Sequence, residues 1–376
     1  MDRPVVSLFL TEGQIMARAI LRNTMSRKNI LVALRNGLAI GKWGRAPRGV
    51  TLVEMLVMTS ILTVMASLLL PAVQMARESG RRVACGNNLQ QLALATHGFH
   101  AAKESFPAVR WNDQGPGQYW GHFARLLPFL DQNTLFAQID FHRPVSDPSQ
   151  AIAAATPLPI LLCPSDTNRM TDATDPLALV GLSKINYRGN GGNDTGALGP
   201  DGREQNNGIF VAGLRVNLDQ LTRGMSNTAL LSEALLGDAN NNLISSPGDW
   251  FALPAGNYGS QDLYAAGQTL TPGTGVTAQY SYAGNSLATG DYTVSRYNHI
   301  MPPNTASLVV AGNASDLAAA INSGPQATTV SSRHPGGVNV VMVDGSVRFI
   351  RNDVNIVVWQ GLGSITGGNP SALGSN

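Results

Sequence analysis

Between Val50 and Leu70 the chain has one ionisable side chain, Glu54, in a run long enough to cross a bilayer. A helix rises 1.5 Å per residue, so about 20 such residues match roughly 30 Å of hydrocarbon. A cluster of basic residues precedes this run. Nine Lys or Arg (Arg3, Arg18, Arg22, Arg27, Lys28, Arg35, Lys42, Arg45, Arg48) stand against Asp2 and Glu12 before Val50, a net charge of +7. By the positive-inside rule that segment stays on the cytoplasmic side. Without it the chain carries 17 basic and 22 acidic residues, so the overall pI near 8.6 says nothing about nucleic acid.

A secretory signal peptide places its small-residue cleavage site after the apolar stretch, whereas Gly49 lies before it. Cutting there removes the charge and keeps the helix. In Gly49-Val50-Thr51-Leu52-Val53-Glu54 the sequence resembles the type IV prepilin and type II secretion pseudopilin signature, with Gly49 last in the leader, Val50 the new N-terminus and Glu54 fifth. Those families usually have Phe at the position of Val50. Pro71 falls where many pilins carry a proline that kinks the first helix. The resemblance implies a prepilin peptidase and methyltransferase that cleaves between Gly49 and Val50 and methylates the new amine. Its other implied partners are pilin-like subunits, an inner-membrane assembly platform and membrane lipid. A carboxylate on an otherwise apolar membrane helix needs a partner, which the freed amine of a neighbouring Val50 would supply. The alternative is an ordinary uncleaved anchor. Met25 is a second candidate start.

After Pro71 the spacing of Cys85, Leu89, Leu92, Thr96 and Phe99 predicts a continuing helix to about Ala102 with one packed face. Arg77, Glu78, Arg81 and Arg82 read as its solvated face. The expected organisation is a basic leader over 1–49, a transmembrane assembly helix over 50–71, its amphipathic continuation over 72–104, a head domain over 105–361 and a flexible tail over 362–376. With 40 Gly, 21 Pro and 13% charged residues, the head suits short strands joined by turns. The predicted fold class is α+β and pilin-like, a long N-terminal helix packed on an antiparallel sheet.

The clearest hairpin runs from Val338 through Asp344-Gly345 to Ile350, and Asp-Gly predicts a two-residue type I′ turn. His334 precedes it, nine residues before Asp344. His334, Asp344 and Gly345, in a chain with a prepilin-type start, resemble a large bacterial family, expanded in planctomycete-type bacteria, whose domain has no assigned function. Further motifs agree: Cys85-Gly86-Asn87-Asn88-Leu89 with His97 and His100, Leu126 to Gln132, Leu162-Cys163-Pro164-Ser165-Asp166, Asn186-Tyr187, and Gly224-Met225-Ser226-Asn227-Thr228. The turn before Ser226 lacks the acid that relatives usually carry.

Cys85 and Cys163 admit two readings, a disulfide in an oxidising compartment or two buried free thiols. Two cysteines without a second pair argue against a tetrahedral zinc site, and no metal ligand set is predicted. Turn chemistry accounts for Asp344, and a loop histidine bonded to backbone accounts for His334, so no catalytic residue and no enzyme are expected. Ser165 reads as a turn serine. Asp194, Asp201 and Glu204 in the Gly189 to Gly208 stretch are hard oxygen donors. A calcium-stiffened loop and a plain surface loop both fit them, although the spacing matches no EF-hand; no other cofactor is expected. Val354 to Trp359 predicts a final helix covering the sheet. The reading is a pseudopilin-like inner-membrane subunit, leader inside and head extracytoplasmic. Its alternative is a membrane-anchored protein that captures a solute or carbohydrate in its loops.

Overall fold

A computed structural model describes residues 49–109, 120–145, 147–167, 183–197, 204, 206–272, 276, 278–287, 289–311 and 324–367. The basic leader, Asp201 and the tail from 368 lie outside the described residues. The chain divides into two units, one ending at Leu68 and the other starting at Leu69.

Helix α1, Leu52–Lys103, is continuous in sequence through both and runs on past Pro71. Its N-terminus is set by a capping box: the Thr51 backbone N–H and hydroxyl donate to Glu54 Oε2 at 2.8 and 2.9 Å, and the Glu54 N–H donates to Thr51 Oγ1 at 3.2 Å. It ends where Glu104 takes a left-handed φ of 57° and its N–H closes on the His100 carbonyl. In the first unit every described residue is exposed, Leu52, Leu56 and Leu62 among them.

In the second unit α1 buries the predicted stripe of Cys85, Leu89, Leu92 and Thr96, with Ala93 and Ala95 added. Gly98 allows Phe129 to approach, since a Cβ there would lie 2.9 Å from the ring. The stripe packs on Phe123, Leu126 and Leu127 from the helical turns α2 (His122–Leu126) and the Leu127–Leu130 3-10 turn. It also meets Tyr187, Leu231, Val341 and Val343. Each large apolar side chain so buried contributes about 1.5–3 kcal/mol.

Two sheets follow. The first has the order β5-β1-β2-β8-β9, built from β1 (Tyr187–Asn190), β2 (Ala229–Glu233), β5 (Arg296–Tyr297), β8 (Gly337–Met342) and β9 (Val347–Arg351). The second has the order β4-β3-β6-β7, from β3 (Trp250–Leu253), β4 (Ala278–Tyr280), β6 (Ser307–Val310) and β7 (Gln326–Ala327). The α+β class holds, but the sheets are mixed. β1 pairs parallel with β5, and β3 pairs parallel with β6.

The β8–β9 hairpin lies where expected, with register Val341↔Val347. Its turn differs from the I′ form. Gly345 has φ 83°, whereas Asp344 is absent from the positive-φ residues, and the Met342 N–H bonds to the Ser346 carbonyl at 2.8 Å. This is a loop of Val343, Asp344 and Gly345, the type I turn plus left-handed glycine, which also satisfies Asp-Gly. β8 is buried along its whole length because both faces are covered. Val341 and Val343 join the α1 cluster, while Val338, Val340 and Met342 pack with Trp359 of the C-terminal helix Ile356–Gly363. Asn355 caps that helix, accepting from the Val357 and Val358 N–H groups.

Candidate functional site

Two places collect the residues singled out by sequence. The first is the start of α1. Gly49 and Val50 precede the helix and are exposed, and a Cβ at Gly49 would meet nothing within 4 Å among the described residues. Among the described residues Glu54 faces no cation; Thr51 donates to its carboxylate. The capping pattern Thr-x-x-Glu was visible in the sequence, and it gives Glu54 a local task alongside any pairing in the membrane.

The second lies in the unit from Leu69 and is centred on His334, which enters just before β8. Its ring is buried between two carboxylates. Nδ1 stands 2.7 Å from Glu78 Oε1 on α1, and Nε2 stands 3.3 Å from Glu233 Oε1 at the end of β2. Burial opposes the charged ring, but Glu233 and Glu78 outweigh it and raise the imidazole above its ordinary pKa. Burial likewise opposes the Glu78 carboxylate. Hydrogen bonds from His334, Arg81 and Ser165 outweigh that and hold it below the ordinary range. The Arg81 guanidinium reaches Glu78 Oε2 at 2.6 Å and the Ser165 hydroxyl donates to Oε1 at 3.2 Å. Glu233 also accepts from the Asn339 backbone and side-chain amides, both at 2.8 Å.

Cys85 and Cys163 complete this cluster. They are joined by a disulfide with Cα atoms 5.2 Å apart, and Cys163 Sγ lies 3.9 Å from His334 Nε2. One ligating atom from each of Cys85, Cys163, Glu233 and His334 falls within 4.8 Å of the others, all four residues being buried. Other motif residues brace the same joint. The Cys163 N–H donates to Asn186 Oδ1, Asn186 Nδ2 donates to Asp166, and Asn88 on α1 donates to the Leu162 carbonyl and the Tyr187 hydroxyl.

Several sequence expectations change here. Glu78 belongs to the His334 pair instead of a solvated face, and Arg82 lies 3.5 Å over the Phe349 ring. The His334 ring bonds carboxylates, not backbone, and Ser165 serves Glu78. His334 and Asp344 do not meet: they flank β8 at opposite ends, and Asp344 Oδ1 accepts from the Ser346 N–H and hydroxyl. Asp344 is lowered chiefly by that Ser346 hydroxyl. In the Gly189 to Gly208 stretch, Glu204 is buried against Arg296 at 2.5 Å, and Asp194 Oδ1 accepts from Thr195 and Ser260. Glu233 was missed by sequence reasoning. The signal was an acid inside the apolar run Ala229 to Leu236, which a buried strand tolerates only with partners.

An exposed apolar helix leading into a mixed-sheet α+β unit is the architecture of the pilin-like class. Within that class the chain belongs to the family described as "Protein of unknown function (DUF1559)", whose family model matches residues 74–356. No curated protein and no solved structure gives a significant match.

Proposed function

We propose that this chain is a pseudopilin-like subunit, cleaved between Gly49 and Val50, methylated on the Val50 amine, and assembled through α1 into a type II secretion or type IV pilus-like system. The observation that carries the reading is the coincidence of an accessible Gly49–Val50 bond with a membrane-length helix whose apolar window is 0% buried. Such a surface needs lipid or other helices around it, because so large an unpartnered apolar area is unfavourable in water. Cleavage leaves Glu54 four residues from the new amine on an apolar rod, where charge pairing between neighbouring subunits offsets the cost of a buried carboxylate. The leader stays in the cytoplasm and the unit from Leu69 is extracytoplasmic, where the Cys85–Cys163 bond persists. Mass spectrometry of the protein from its native membrane tests this. A methylated Val50 start is expected, and a leader-bearing start in cells with an active prepilin peptidase refutes it.

A membrane-anchored solute binder is the second reading, favoured by a cavity of about 450 Å³ lined by Phe99, Phe106, Phe136 and Phe141 with Lys103, Arg125 and Arg215. Its size is that of a small-molecule site, and rings with cations suit an anionic organic solute. Ligand-dependent stabilisation of the full-length protein by aromatic carboxylates separates this reading from assembly alone.

A further inference from the structure

The four buried groups around the sulfurs have the composition and spacing of a metal site that the sulfur–sulfur bond keeps closed. We propose that the reduced chain binds one zinc-like divalent cation through Cys85 Sγ, Cys163 Sγ, His334 Nε2 and Glu233 Oε1, and that disulfide formation expels it.

The distances are close to those required. Around tetrahedral zinc, with Zn–N and Zn–O near 2.0–2.1 Å and Zn–S near 2.3 Å, ligand nitrogen and oxygen stand about 3.3 Å apart and nitrogen and sulfur about 3.5 Å. His334 Nε2 to Glu233 Oε1 is 3.3 Å, and Nε2 to Cys163 Sγ is 3.9 Å. The bonded sulfurs have to separate to roughly 3.7 Å on the same geometry, while the remaining pairs, already within 4.8 Å, draw together. The outer contacts are in place as well. Glu78 Oε1 accepts from His334 Nδ1, which orients the ring to present Nε2, and Asn339 holds the Glu233 carboxylate. Sulfur, imidazole and one carboxylate at a closed four-coordinate point favour zinc over calcium or magnesium, which take oxygen ligands.

The exchange balances with a named partner. A trialkylphosphine and one water convert the Cys85–Cys163 bond to two thiols while the phosphine becomes its oxide. Zinc then enters as both thiols release protons. In the reverse direction the two thiolates give two electrons to a disulfide or quinone oxidant, the S–S bond forms, and the cation leaves with His334 and Glu233 returning to their mutual contact.

Cobalt(II), which reports thiolate ligation by colour, provides the test on the full-length protein in detergent. The phosphine-reduced chain should take up one cobalt with an intense thiolate-to-metal band that zinc bleaches, and the oxidised chain should show none. Glu233→Gln and His334→Ala should weaken zinc binding. Glu78→Gln, a positioning change, should weaken it by roughly 10–100-fold while leaving the cobalt band in place at saturation. If the reduced apo chain unfolds, zinc should restore its far-ultraviolet dichroism, since metal binding is then folding energy. A reduced chain that stays folded without a thiolate band, one that zinc fails to refold, or a band that persists in Cys85→Ser/Cys163→Ser would overturn the proposal.

Discussion

Opening the Cys85–Cys163 bond separates cross-linking from packing as the source of stability at the α1 joint. The two residues are 78 apart in sequence. In the chain-entropy description a loop of this size is worth about 4.5 kcal/mol at 25 °C, close to the ~4.7 kcal/mol of a 100-residue loop. Packing makes a different prediction. Both sulfurs are buried, so truncating each to alanine removes about one methylene equivalent, on the order of 1 kcal/mol per site. The assay is urea unfolding of the full-length oxidised protein in detergent, followed by the fluorescence of the buried Trp250 and Trp359, for Cys85→Ala, Cys163→Ala and the double variant. If the cross-link dominates, either single change costs about 4–5 kcal/mol and the double costs little more, because the bond is lost once. In a parallel thermal scan, at about 2–4 °C per kcal/mol, the melting midpoint should fall by roughly 8–20 °C. Single changes near 1 kcal/mol that add in the double variant would refute the cross-link account.

Three other changes have defined outcomes. His122 is fully buried against Phe123 and Phe210, and neither ring nitrogen has a hydrogen-bond partner among the described residues; burial, with the Arg296 charge adding to it, pushes its pKa down to about 3, and burial does the same to His299. A depressed folded pKa gives stability that is present above about 6.5 and lost as pH falls toward 3, at about 1.4 kcal/mol per unit for each group, so His122→Phe should flatten the stability profile measured between pH 6.5 and 4 and leave it unchanged at pH 8. The Arg296–Glu204 pair is fully buried, with Tyr292 also on Glu204; Glu204→Gln strands a buried guanidinium and should cost about 3–5 kcal/mol in urea unfolding, more than Glu204→Gln combined with Arg296→Met. Glu54→Ala should leave the unfolding midpoint of the Leu69–Asn376 unit unchanged while reducing cross-linking between subunits in native membranes, an outcome that unaltered cross-linking would contradict.

What could be read from the chain follows the range of the interactions involved. Helix α1 was legible almost to the residue, Val50 to Ala102 expected and Leu52–Lys103 found, because an uncharged run and a 3.6-residue stripe are local signals. The β8–β9 hairpin was legible through Asp344-Gly345, though two turn types share that dipeptide, and only the geometry of Gly345 distinguishes them. The parallel pairings were not legible. β5 is two residues long and joins β1 across more than a hundred positions, so no periodicity announces it. The His334 environment was hidden for the same reason. Glu78, Glu233 and His334 lie on three elements widely spaced in sequence, and each alone reads as a surface acid, a strand end or a loop histidine.

The way these residues meet bears on what the family motifs are for. From Glu78 to His97, α1 sends four side chains to four separate segments: Glu78 to His334, Cys85 to Cys163, Asn88 to Leu162 and Tyr187, and His97 to the Val343 carbonyl at 2.5 Å. Sliding the helix by one turn, about 5.4 Å, would break all four at once, so they fix its register on the first sheet. The hairpin turn is tied in as well, since Val343 and Asp344 donate their N–H groups to the Thr228 and Met225 carbonyls of the Gly-Met-Ser-Asn-Thr segment. Residues that share a sequence signature here thus share a mechanical task, and Asp344 belongs to it by shaping a turn that α1 and the 225–228 segment both grip. At this joint the carboxylates, the imidazole and the sulfurs are engaged with one another, and the exchange we propose there is that of the sulfur–sulfur bond for a metal ion.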